Sequence, residues 1–151
     1  MHTLFIISGS ISKVENNRGD RRMAKVLIVE DSTFFRQLLK ETLLSRFPEM
    51  DISEAGNAEE ALSKMVTFTP DLIFADIRLP GESGLEFTRK IKSMHPNIPI
   101  IILTSYDLPE YREAAKEHQV DYFLSKGTAT KENILEMVKS ILSSRNIGLN
   151  K

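Results

Sequence analysis

Five short apolar stretches, set between segments of helical period, constrain this chain more than any other feature. Val26–Val29, Leu72–Ala75, Ile98–Leu103 and Val120–Leu124 are too short for helices, and Asp51–Ala55 is a weaker stretch of the same kind. Apolar runs of this length, bounded by turn residues, fit buried strands. Between them, Phe35, Leu38, Leu39 and Leu43 recur at helical steps, and Asn57 followed by Glu60 makes a capping box for a second helix. A third helix is predicted from about Ser83 through Leu85, Phe87 and Ile91 to Met94, stopped by Pro96. Pro109, a good first-turn residue, opens a fourth that ends before Val120. Ile134, Val138, Ile141 and Leu142 form the buried stripe of a fifth. Strands alternating with helices predict a parallel sheet covered on both faces. The expected fold is α/β, a flavodoxin-like doubly wound (βα)5 with a five-stranded parallel sheet in the order 2-1-3-4-5.

A chain of 151 residues suits one such domain. The expected division is an N-terminal extension at 1–22, a domain at 23–145 and a short tail at 146–151. The extension contains the polar, aperiodic "SGSISKVENNRGDRR", and Met23 stands directly before the first strand. One reading makes Met23 the natural start; the other lets "TLFIIS" add an edge strand. With 20 basic and 21 acidic residues, the whole chain shows no electrostatic footprint for nucleic acid. No Cys is present, which excludes disulfides, thiolate chemistry and cysteine zinc sites. His2, His95 and His118 are too scattered for a metal cluster. No apolar run approaches the ~18 residues that a membrane span needs. A cytoplasmic location is expected.

The polar residues that stand out fall where the strands end. Glu30 and Asp31 close the first strand, Asp76 the third, Thr104 and Ser105 the fourth, and Lys126 follows the fifth. Carboxyl ends of strands are where open α/β sheets carry their sites, and strands one and three are neighbours in the expected order. Three carboxylates brought together there repel one another and need a cation. Magnesium (or manganese) fits, being held by carboxylates, waters and phosphate oxygens. Lys126 adds a mobile positive charge and Thr104 a hydroxyl, so a phosphoryl group can be accommodated with Asp76 as its nucleophile.

"LIVEDS", "DLIFADIRLPGESG", "IIILTS" and "DYFLSKG", taken together and in order, resemble the CheY-like receiver domain of two-component response regulators. The resemblance spans Lys25 to Ser143. It implies that Asp76 is the phosphoacceptor, that Glu30 and Asp31 organise the metal, and that the backbone carbonyl of Ile77 is a further ligand. It also implies that Thr104 closes on the phosphoryl oxygens, that Lys126 pairs with them, and that Phe123 is a switch aromatic. The donor would be a sensor histidine kinase or a phosphotransfer protein. Enzymatic turnover of a separate substrate is not expected; the chemistry would be self-catalysed phosphotransfer and autodephosphorylation.

Departures from the family pattern lie in Gly127, where many receivers carry proline, and in Glu30, which reaches further than the alternative Asp. Arg78 and Tyr106, two residues beyond Asp76 and Thr104, are expected to tune the lifetime of the phosphate by shielding it. His95 and His118 read as surface residues, Met65, Met94 and Met137 as core filler, and Phe34 as either core or partner anchor. A haloacid-dehalogenase-type phosphatase would need an acid at position 78, where Arg cannot donate a proton usefully. A flavin or nucleotide site would need a Gly/Ser/Thr-rich loop where "EDSTFF" stands. Downstream of the last helix too little chain remains for a DNA-binding module. The output is expected through protein contacts or an effector domain outside this chain, with a homodimer on phosphorylation, and without direct contact to nucleic acid or membrane.

Overall fold

The computed structural model describes residues 22–147. Its strands are β1 (Lys25–Val29), β2 (Asp51–Ala55), β3 (Leu72–Ala75), β4 (Ile100–Thr104) and β5 (Tyr122–Ser125). They alternate with α1 (Thr33–Arg46), α2 (Ala58–Lys64), α3 (Gly84–Met94), α4 (Pro109–Glu117) and α5 (Lys131–Ser144). The strands form one parallel sheet in the order β2-β1-β3-β4-β5, as the pattern predicts. Val29 pairs with both Ala55 and Ala75, which brings the carboxyl ends of β1 and β3 level.

Side chains that alternate along each strand build two cores. Val26, Ile28, Leu72, Phe74, Ile101 and Leu103 face α1 and α5, where Leu39, Leu43, Val138 and Leu142 meet them. Leu27, Val29, Ile73, Ala75, Ile100 and Ile102 face the other three helices, through Ala61, Phe87, Ile91 and Ala115. This two-sided burial is why the strands read as continuous apolar runs instead of alternating ones.

Local chemistry sets where the elements start and stop. Ser32, Asn57, Ser83 and Thr130 each accept a backbone N–H at a helix start, whereas α4 begins on Pro109 without a side-chain cap. The capping box expected at Asn57 and Glu60 is only half present. Asn57 accepts the Glu60 N–H, but Glu60 Oε1 accepts the N–H of Gly56 at 2.8 Å. The reciprocal box is instead at Thr130 and Asn133. Helices α4 and α5 end in the same way: Gln119 and Asn146 take left-handed conformations, and Val120 and Ile147 donate back to Ala115 and Leu142. This is the Schellman arrangement. It draws Val120 out of the strand it was expected to open.

Both boundaries carry contacts. Arg22 donates two hydrogen bonds, of 2.7 and 2.6 Å, to the buried Asp71 carboxylate, which also accepts the Lys25 N–H at 2.8 Å. Ile147, expected in the tail, is buried in the α1–α5 core. The possible edge strand at "TLFIIS" lies outside the described residues. Met94 is 55% exposed and so is not core filler, while Met65 and Met137 pack against the two cores. Among the described residues no helix is long and apolar enough to cross a membrane.

Candidate functional site

The ends of β1, β3 and β5 converge on one cluster. Lys126 Nζ, just past β5, donates to Glu30 Oε1 at 2.8 Å and to Asp76 Oδ2 at 3.1 Å. All three side chains are largely buried. Asp31, in contrast, is exposed, and its carboxylate comes within 4.8 Å of those of Glu30 and Asp76. Ser32, not Asp31, caps α1, so the Asp31 carboxylate is left for the cluster.

The backbone around the acids is held from several sides. Glu30 Oε2 accepts the Ser32 N–H at 2.9 Å, and the Glu30 carbonyl accepts Arg36 Nη1 at 2.6 Å. The same guanidinium pairs with Glu54 on β2 at 3.0 Å, so Arg36 ties the β1 end to its neighbouring strand. On the β3 side, the closest approach is at Gly84. A Cβ there would fall 1.9 Å from the carbonyl oxygen of Asp76. The Gly84 N–H also donates to the Ile77 carbonyl at 2.8 Å. One lone pair of that carbonyl, expected as a metal ligand, is thus already engaged by the start of α3.

The charge balance is uneven. Three carboxylates face one ammonium, which leaves a formal charge of −2. Burial pushes the Glu30 carboxyl above its ordinary range, and the Lys126 bond only partly offsets this. Burial also works to lower the Lys126 pKa, but the bonds and charges of Glu30 and Asp76 outweigh it and raise the ammonium's value. Asp76 Oδ1 is buried without a hydrogen-bond partner. An orphaned carboxylate oxygen is costly to bury. A divalent cation would satisfy that oxygen and cancel the −2, so this donor set of hard oxygens fits magnesium.

The remaining expected residues are distributed over the ends of β3 and β4, over β5 and over the helices. Thr104 is fully buried at the end of β4; its hydroxyl accepts the Tyr106 N–H at 3.2 Å, and its carbonyl accepts the Lys126 N–H at 2.8 Å. Arg78 stacks on the Tyr106 ring with Cζ 4.4 Å from the centroid, and Tyr111 meets the same ring edge-on. Phe123 is half-buried on β5 under the Arg112 guanidinium, 4.6 Å from its centroid. Arg112 in turn pairs with Asp107 in the loop after β4. Phe34 is 77% exposed, so it is not core. His95 and His118 close helices α3 and α4 away from the carboxylates. Arg36, Arg112, Tyr111 and the constraint at Gly84 were not singled out from the sequence. Only the proximity of Arg36 to "EDS" offered a signal.

The family model described as response regulator receiver domain matches residues 26–139. The chain belongs to this family. Among its relatives, the chemotaxis protein CheY of Halobacterium salinarum is 34% identical over 123 residues, covering 81% of this chain and all of that protein. The sensory transduction protein LytT of Bacillus subtilis is 37% identical over 99 residues, which is 66% of this chain but 39% of LytT. The chain likewise matches only 20% of the transcriptional regulator NtrC of Klebsiella pneumoniae. Among solved structures, a two-component response regulator from Clostridium difficile superposes with a TM-score of 0.76 at 29% identity, over 82% of this chain and 99% of that one. The receiver fold expected from the sequence is therefore the fold observed, and the carboxylate cluster lies at the carboxyl end of its sheet.

Proposed function

We propose that this receiver accepts a phosphoryl group on Asp76 from the phosphohistidine of a sensor histidine kinase or phosphotransfer protein. The observation that carries this is the Lys126 ammonium bridging Glu30 and Asp76 while Asp76 Oδ1 is buried without a partner. In the transfer, an Asp76 carboxylate oxygen forms a bond to phosphorus as the bond to the donor's imidazole nitrogen breaks. The electron pair leaves with the imidazole. The protein has little covalent chemistry to do beyond positioning and charge neutralisation. Glu30, Asp31 and Asp76 would hold magnesium, which when bound would neutralise charge on the phosphoryl oxygens. Ile77 is the weaker part of the ligand set, because its carbonyl already accepts from Gly84.

Lys126 would move from Asp76 Oδ2 onto a phosphoryl oxygen, and the Thr104 hydroxyl would donate to another. The hydroxyl can keep accepting the Tyr106 N–H while it donates, so its shift toward the phosphoryl group would carry the loop after β4 with it. Phe123 then has space to turn inward, and the α4–β5–α5 face changes shape. This is a shift between two pre-existing states, biased by the acyl phosphate. Arg78 and Tyr106, which stack on each other, would shield phosphorus from water and lengthen the phosphate's lifetime. The exposed Phe34 would contact the donor. The output would pass to another protein or an effector domain, with a homodimer as one form of the active state.

Intact mass after incubation with acetyl phosphate tests the reading. One added phosphoryl group that requires Mg²⁺ and is absent in Asp76→Asn is the expected result. No addition, or addition that survives in Asp76→Asn, would refute Asp76 as the acceptor.

A further inference from the structure

Lys126 reaches the carboxylates across the face of an aromatic ring. Its Nζ lies 4.1 Å from the centroid of Phe35, while it donates to Glu30 Oε1 at 2.8 Å and Asp76 Oδ2 at 3.1 Å. Phe35 sits in the first turn of α1, where its N–H donates to the Ser32 hydroxyl that caps the helix. The ring packs against the α1–α5 core. It lines both the crevice beside Asp76 and a groove of about 130 Å³ that extends to Ala129 and Ile134. Core contacts on one side and the capped turn anchor the partly buried ring beneath the ammonium.

The three partners of Lys126 respond differently to a divalent cation. The Glu30 and Asp76 carboxylates, with Asp31, would hold it, and two added positive charges beside them would repel the ammonium. The Phe35 ring is no ligand for a hard cation, which takes oxygen. Its attraction for the ammonium therefore persists when that of the carboxylates is diverted. We propose that Phe35 is a positioning residue for Lys126, keeping the ammonium beside Asp76 once a divalent cation has engaged the carboxylates. The ammonium is then already in place for an incoming phosphoryl group. This rests on the reading of Asp76 as the phosphoacceptor.

The test compares the wild type with Phe35→Leu, which keeps an apolar side chain but has no π face, and Phe35→Tyr, which keeps the ring. The first readout is the NMR shift of the Lys126 side-chain methylenes at saturating Mg²⁺. Ring-current displacement is expected to remain in the wild type and Phe35→Tyr and to vanish in Phe35→Leu. The second is the rate of labelling by acetyl phosphate, expected to fall roughly three- to thirtyfold in Phe35→Leu, the range a cation–π contact supports. Phe35→Tyr should restore it, and both variants should bind Mg²⁺ as the wild type does. Loss of the displacement in the wild type on adding Mg²⁺, or full-rate labelling of Phe35→Leu, would overturn the proposal. A wild type that keeps the displacement in Mg²⁺ yet takes no phosphoryl group would support Phe35 as the seat of Lys126 and overturn the phosphoacceptor reading instead.

Discussion

The two halves of the sheet are built to different standards. On the β1–β3 side, four of the five β1 residues and all of β3 are buried, and α1 and α5 close over them with a continuous apolar layer. On the β5 side no strand residue is fully buried, and α4 buries only Ala115. Residues Ser105 to Leu108, between β4 and α4, are exposed throughout, as are the first two residues of α4. Besides the Tyr106 N–H bond to Thr104 and the edge-on Tyr111 ring, what holds them is superficial: the Asp107–Arg112 pair, Arg112 over Phe123, and Arg78 over Tyr106. Such contacts are worth little individually. Regions of few buried apolar contacts open at lower free energy than core strands. The acids therefore stand on the firm half, and the loop that would respond to them belongs to the soft half.

Truncation on each side should expose this difference most strongly. Leu43→Ala empties fully buried volume under α1 and should cost about 2–5 kcal/mol in urea unfolding. Leu108→Ala, at a 46% exposed position before α4, should stay within about 0.5 kcal/mol. Equal losses would erase the contrast. Next in size is Gly84→Ala, whose added methyl must push the Asp76 backbone aside. We expect a loss of about 1–3 kcal/mol and a displaced Asp76, read by unfolding and by the chemical shifts of residues 75–77. Gly127→Ala, where the new Cβ would meet only Ser125 Oγ at 3.6 Å, should change neither.

A smaller effect concerns acid. Burial works to raise the Glu54 carboxyl, but its bonds to Lys40 and Arg36 outweigh this and hold it below the ordinary glutamate range. A depressed folded value means the contribution is present above the ordinary range and is lost as pH falls through the lowered one. Stability measured against pH should therefore show a smaller acid-side loss in Glu54→Gln than in the wild type. The smallest effect is a gain on the soft side. Gln119 holds φ at 66°, a conformation that glycine adopts without strain, so Gln119→Gly should raise stability by about 0.5 kcal/mol despite its entropy.

The firm half was also the more legible half. Its strands are uninterrupted apolar runs, and the abrupt appearance of Glu30, Asp31 and Asp76 at their ends marks the site in the sequence itself. Apolar periodicity cannot show contacts made by exposed charged residues. The pairing of Arg112 with Asp107 and the span of Arg36 from the Glu30 carbonyl to Glu54 look, in sequence, like any solvated charge. Phe35 shows the same limit from the other side. Its place in the helical stripe marks it as core, while the ammonium over its face comes from a residue beyond β5. Arg22 falls in the expected N-terminal extension, within a polar stretch that carries no period, yet its guanidinium pairs with the buried Asp71. Gly84 falls inside a predicted helix like any other residue, and only the backbone geometry shows that a side chain there would collide with the Asp76 carbonyl.

The division between a fixed site and a loosely held response is tested most directly by amide hydrogen exchange with Mg²⁺, before and after adding BeF3⁻ as a stand-in for the phosphoryl group. The account predicts that exchange changes most in residues 104–125 and at the site itself, while the core amides of β1 and α1 stay as they were. A change spread evenly over the domain, or one confined to the site and leaving residues 105–123 untouched, would contradict it.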